Sequence, residues 1–196
     1  MFVAVAPPPA VLDELETAAA PLRVSRHDLR WTSRDAWHIT LAFLGEVDET
    51  ATVRLAPRLE RAAVRHGPFR VRFAGAGAFP DAARARVLWC GLGGDVPALA
   101  GLASAVAAGA RRAGAKPPDE GRPFRPHLTL ARCRMPADVR EVTAALSGYD
   151  GTPWTADRIH LINSRPGQQP RYATLGSWSL GPVGPSGRAN SNAGHG

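Results

Sequence analysis

The chain has 196 residues, 44% of them hydrophobic and 21% charged, a balance that suits one globular domain or two small lobes around a shared core. No apolar run reaches the roughly 18 residues of a membrane-spanning helix, and the two cysteines, Cys90 and Cys133, are too few for a disulfide framework or a cysteine-based zinc site and read as reduced thiols of a cytosolic protein. The net charge of +7 comes from 24 basic residues against 17 acidic ones, with Lys116 the only lysine; an arginine-rich surface suits a polyanion such as nucleic acid, and a GC-rich coding bias accounts for the same composition equally well.

The opening Phe2 to Ala6 reads as a strand rather than an export signal, because no basic region precedes it and Pro7 ends it. A helix is predicted from Pro8 to about Ala20, with Val11, Leu12 and Leu15 on one face. Asp28 to Thr32 is a short extended piece, and Trp37 to Leu44 is a strand closed by Gly45. Asp48 to Arg65 is an arginine-rich amphipathic helix. Phe69-Arg-Val-Arg-Phe alternates with period two, and Arg86 to Leu92 forms the next strand. After the Gly93-Gly94 turn, Val96 to Ala113 is a helix, followed by a proline-rich loop from Gly114 to Pro126. His127 to Arg134 is a strand, Pro136 to Ser147 a helix, and Asp157 to Asn163 and Tyr172 to Leu180 two closing strands. The composition from Gly181 onward cannot build a core, so residues 181–196 are expected to be a disordered Gly/Pro-rich tail behind a single domain of residues 1–180. The mixture is α+β.

One pentapeptide occurs twice. His38-Ile-Thr-Leu-Ala returns as His127-Leu-Thr-Leu-Ala, 89 residues later, each at a strand start. Residues i and i+2 of a strand share a face about 6.6 Å apart. His38, Thr40 and Ala42 therefore oppose Trp37, Ile39 and Leu41, and His127, Thr129 and Ala131 oppose Leu128 and Leu130. Each strand offers an imidazole, a hydroxyl and a small methyl on one side and buries aliphatics on the other. If the halves face each other, the set suits phosphodiester chemistry. One imidazole activates water and the other protonates the leaving oxygen. The threonines hold nonbridging oxygens, and an arginine neutralises the remaining charge. Neither histidine has an Asp, Glu or Cys at ligand spacing, so no metal is expected.

With their flanks, His38-Ile-Thr-Leu-Ala-Phe-Leu-Gly and Arg122-Pro-Phe-Arg-Pro-His-Leu-Thr-Leu-Ala-Arg132 resemble the twin H-x-T-x motifs of the two-histidine (2H) phosphoesterases. More narrowly they resemble the RNA 2′,3′-cyclic phosphodiesterases, historically called 2′-5′ RNA ligases. Phe2-Val-Ala-Val, Val87-Leu-Trp, Ser164, Gly167, Tyr172, Leu175 and Trp178 extend the likeness to about Leu180. The resemblance implies a bilobal fold, with two antiparallel β-sheets facing a central cleft and helices on the outer faces. It implies cofactor-free hydrolysis of a terminal 2′,3′-cyclic phosphate on RNA, tRNA fragments included, to a 2′-phosphate. It makes His38 the proton donor, His127 the proton acceptor, and Thr40, Thr129 and Arg132 substrate contacts. Strict alternation puts Arg132 on the wrong face, so a bulge or strand end must re-aim it. Arg125 has the right parity for a place at the rim. The same quartet would serve 2′-5′ oligonucleotides or small cyclic nucleotides, or survive as a vestige in an RNA-binding module.

Lys116 is followed by Pro-Pro-Asp and lies in no K-x-D-G context, so joining of RNA ends would be the ATP-free reversal of cyclic phosphate chemistry. His27, His66 and His160 lack the Thr at +2 and read as surface or structural residues. Trp37 and Trp89 are expected in the core. The helical run Arg54, Arg58, Arg61, Arg65 reads as a solvated face. The protein is expected to be a cytoplasmic monomer.

Overall fold

The computed structural model describes residues 1–115, 123–165 and 172–182; nearly all of the expected tail lies outside them. The strands are β1 (Phe2–Val5), β2 (Arg30–Trp31), β3 (Ile39–Phe43), β4 (Phe69–Phe79), β5 (Ala85–Gly94), β6 (His127–Ala137), β7 (Trp154–Ala156), β8 (Arg158–Ser164) and β9 (Tyr172–Ser179). The helices are α1 (Pro9–Ser25), α2 (Glu49–Val64), α3 (Val96–Ala113) and α4 (Arg140–Ala145).

Capping sets the helix ends. The Asp48 carboxylate accepts from the Ala51 amide at 2.6 Å to start α2, and Asp95 accepts from the Ala98 amide at 3.1 Å to start α3. Gly114, with φ of 95°, ends α3 in the left-handed region that favours glycine. Leu55 and Leu59 of α2 and Leu99, Leu102 and Val106 of α3 are fully buried in one core with Ile39, Leu128 and Leu130. Among the described residues no helix is long and apolar enough to cross a membrane.

The strands form one antiparallel sheet in the order β7-β4-β5-β6-β3-β1-β8-β9, with β2 also on β6. The two expected sheets are thus two four-stranded wings of a continuous network. They meet where β3 pairs with β6, and the register there is the single pair Ile39↔Leu128. Helices cover the face that carries these two side chains, and the other face of the β3–β6 seam carries the histidines.

Several boundaries differ from the sequence reading. β4 runs on through Ala74 to Phe79, because its Gly and Ala side chains leave room for Trp89 of the neighbouring strand. β6 continues past Pro136 to Ala137, which pairs with Ala85, so α4 starts only at Arg140. Pro136 ends an extended run instead of opening a helix. β7 pairs with the first residues of β4 and is too short to stand out in the sequence.

Candidate active site

The repeated word sits at the seam. Antiparallel pairing of Ile39 with Leu128 sets His38 across from Thr129 and Thr40 across from His127. Residues flanking one antiparallel pair share the opposite face, so two imidazoles and two hydroxyls lie on one side of the seam. The buried side is aliphatic: Trp37 is 4% exposed, Leu41 5%, and Ile39, Leu128 and Leu130 are sealed.

Each copy of the word carries a register slip at the same place. Between β1 and β3, Val3 pairs with Ala42 and Ala4 with Thr40, which leaves Leu41 as an extra residue. Between β5 and β6, Leu88 pairs with Ala131 and Trp89 with Thr129, which leaves Leu130 as the extra residue. A bulge of this kind resets strand parity. Past Leu130 the pair Val87↔Arg132 falls on the same face as Trp89↔Thr129. Arg132 therefore shares the face of the histidines, and its positive charge depresses the proton affinity of both His38 and His127. The residue in the equivalent place after Leu41 is Phe43, paired with Phe2. The quartet has near-twofold symmetry, and the cation breaks it.

A backbone carbonyl orients the His127 ring. His127 Nδ1 lies 2.7 Å from the Arg125 carbonyl oxygen. A carbonyl only accepts, so Nδ1 carries the hydrogen and Nε2 keeps its lone pair while the ring is neutral. The backbone of Ala36, two residues before His38 as Arg125 is two before His127, raises the proton affinity of the His38 ring. Arg125 lies just before β6 with an exposed side chain, and its carbonyl accepts from His127.

Aromatic walls, which the sequence reading did not assign, enclose the rings. Phe2 stacks on His38 with centroids 4.5 Å apart, and Tyr172 meets it edge-on at 5.6 Å. Phe79 meets His127 edge-on at 5.1 Å, with Trp89 at 6.2 Å. Trp89 is thus on the site face, not in the core as expected; its partner residue Gly77 has no Cβ, and one there would fall 2.3 Å from the indole. Trp37 is in the core. Parity from the bulged register and the 89-residue repeat could have flagged the Arg125 carbonyl and Trp89; Tyr172 and Phe79 come from strands with no repeat signal.

Burial dominates the electrostatics. It lowers the pKa of His38 to about 4, with the Arg132 and His127 charges acting in the same direction. His127 is lowered for the same first reason and by Arg132. The Thr40 and Thr129 hydroxyls are half-buried and hydrogen-bond no other described residue, so both are available to a ligand. Among the described residues no cluster of three or more His, Cys, Asp or Glu side chains could hold a metal ion.

The model of the 2′-5′ RNA ligase superfamily matches residues 7–168. The chain is 31% identical to the RNA 2′,3′-cyclic phosphodiesterase of Aquifex aeolicus over 68% of its length and 70% of that protein. It is 31% identical to the RNA 2′,3′-cyclic phosphodiesterase of Thermus thermophilus, over 87% of its length and 83% of that protein. A crystal structure of a Thermus thermophilus protein superposes with a TM-score of 0.76 at 28% identity, covering 93% of this chain and 98% of that one.

Proposed function

This chain belongs to the 2′-5′ RNA ligase superfamily, and from that premise and the seam geometry we propose that it hydrolyses 2′,3′-cyclic phosphate ends of RNA to 2′-phosphomonoesters. The observation that carries the reading is the Ile39↔Leu128 register, which sets each histidine beside the other copy's threonine. The names of the relatives supply the substrate class.

His127 Nε2 takes a proton from water as the water oxygen bonds to phosphorus. The P–O3′ bond breaks in line, and His38 gives its proton to the departing O3′. The product carries a 2′-phosphate and a free 3′-hydroxyl. The histidines have exchanged protonation states and reset through solvent. Thr40 and Thr129 donate to the nonbridging oxygens, and Arg132 offsets the charge that builds there. In the ligand-free protein His38 is mostly neutral at pH 7, because its pKa is about 4. The anionic phosphate counteracts both depressing influences of charge, and binding therefore brings a proton to the site. With the 5′-hydroxyl of a second strand in place of water, the same groups form a 2′-5′ linkage without ATP.

Tyr172 and Trp89 offer ring surface to the terminal base or ribose beside the reacting phosphate. The natural strand ends, tRNA fragments among them, and action in the cytoplasm as a monomer belong to the same proposal. The test is to incubate the protein with an oligoribonucleotide ending in a 2′,3′-cyclic phosphate and assign the product by phosphorus NMR. A 2′-phosphate is expected; a 3′-phosphate or an intact ring contradicts the proposal.

A further inference from the structure

A second cationic centre lies outside the histidine site. Arg58 and Arg61 of α2 and Arg65 at its C-terminal cap fall on one stripe, at i, i+3 and i+7. The helix packs against α3 so closely at Gly109 that a Cβ there would sit 3.4 Å from the Arg58 carbonyl oxygen. Small side chains, Ala62 on α2 and Ala105 and Ala108 on α3, leave a hollow of about 380 Å³ beside this contact. Arg112 closes it from α3, so four arginines line the pocket and no acidic residue does. Among the described residues none of the four is in an ion pair. Arg54, the next residue along the stripe, does not line the hollow and donates its Nε to the Ala113 carbonyl at 3.3 Å; Arg61 donates its Nε to the Pro57 carbonyl of its own helix at 3.0 Å, which leaves its two Nη groups for a ligand.

Four unneutralised guanidinium groups around one hollow repel each other, and the repulsion is relieved by a bound anion of matching charge. Their planar forks grip phosphate oxygens in pairs. The volume is at the small end of ligand pockets, which fits a compact group and not an extended strand. The helices cover the sheet face opposite the histidines, so the two centres do not share a cleft. We propose that this pocket binds a compact polyphosphate, free pyrophosphate or the phosphate tail of a nucleotide, independently of the catalytic histidines.

The test is calorimetric titration with pyrophosphate and, separately, with ADP, on the full chain carrying H38A and H127A, which takes both imidazoles out of the measurement and leaves the arginine variants to separate the pocket from Arg132. One equivalent of pyrophosphate is expected to bind. Adding R61A and R65A is expected to weaken it at least about tenfold, as loss of bidentate charge-assisted bonds requires. R112A, on the other helix, is expected to weaken it as well, which a site on α2 alone would not show. ADP that binds as tightly as pyrophosphate assigns the site to nucleotide tails, and weaker ADP assigns it to the free anion. Thermal melts of each variant separate lost binding from lost folding. No binding in the H38A/H127A background, binding indifferent to R61A/R65A or to R112A, or displacement of pyrophosphate by an equal charge of single-stranded RNA would overturn the proposal. Each of these outcomes leaves the cyclic phosphodiesterase reading untouched.

Discussion

Ile39 pairs across the seam with Leu128, its own counterpart in the repeated word 89 residues later. A residue paired with its own repeat mate marks a local twofold axis. That axis explains why His38 faces Thr129 and Thr40 faces His127, and why both bulges, at Leu41 and Leu130, occupy equivalent places. Symmetry alone would make the two histidines equal. Arg132 on one half and Phe43 on the other separate their environments.

The assigned roles predict unequal rescue. H38A and H127A each lower kcat by at least about 10²-fold on a 2′,3′-cyclic phosphate, the usual weight of a general acid or base. A substrate analogue with a leaving group that needs no proton, such as a nitrophenyl phosphodiester, restores much of the rate to H38A and little to H127A. The reverse pattern would exchange the two roles.

The pH dependence of kcat/KM reports the free enzyme. Burial holds His38 at about 4 and His127 below its ordinary 6.5. Above pH 6.5 both rings are therefore neutral, and the form with a protonated acid becomes scarcer by about tenfold per pH unit. The expected result is a falling alkaline limb between pH 6.5 and 8.5. R132A removes a positive charge that lowers both groups, so the limb moves to higher pH even as the rate drops. A profile flat across that range would contradict the acid role of a histidine.

The open space at Gly77 is a condition for the position of Trp89. G77A forces the indole from its place beside His127 and is expected to destabilise the fold by about 1–3 kcal/mol and to lower kcat/KM. W89F added to G77A relieves the clash, so the double variant melts above G77A alone. Additive melting shifts would show that the two residues do not meet.

Much of the site was legible in the sequence. His38, Thr40, His127 and Thr129 could be assigned to one face from period two, and the need for a bulge or strand end before Arg132 followed from that parity together with the substrate contact the family resemblance implies. The near-identity of the two words made the pairing of halves legible as well. What the sequence did not carry was contact between distant strands. Phe79 and Tyr172 reach the histidines through the order of the sheet, and short Trp154–Ala156 has no pattern of its own. Trp89 was misplaced because a tryptophan on a central strand defaults to the core, whereas its pairing with Thr129, its contact with His127 and the empty Cβ position at Gly77 put it on the site face. The continuity of the sheet rests on one pair, Ile39↔Leu128, too little for a sequence pattern to signal.

Metal removal is a separate check, because the proposed steps use only side chains. Exhaustive dialysis against EDTA is expected to leave kcat within about twofold. Loss of activity restored by zinc or another divalent ion would assign the water activation to a metal and not to His127.

The central claim is that one phosphate touches both histidines. Nitrogen-15 NMR of the imidazoles, recorded while a 2′-phosphorylated nucleotide is titrated in, tests it most directly. The claim predicts that His38 and His127 shift together with a single dissociation constant, and that both rings gain proton occupancy as the anion binds. Shifts confined to one ring, or two unrelated constants, would contradict it.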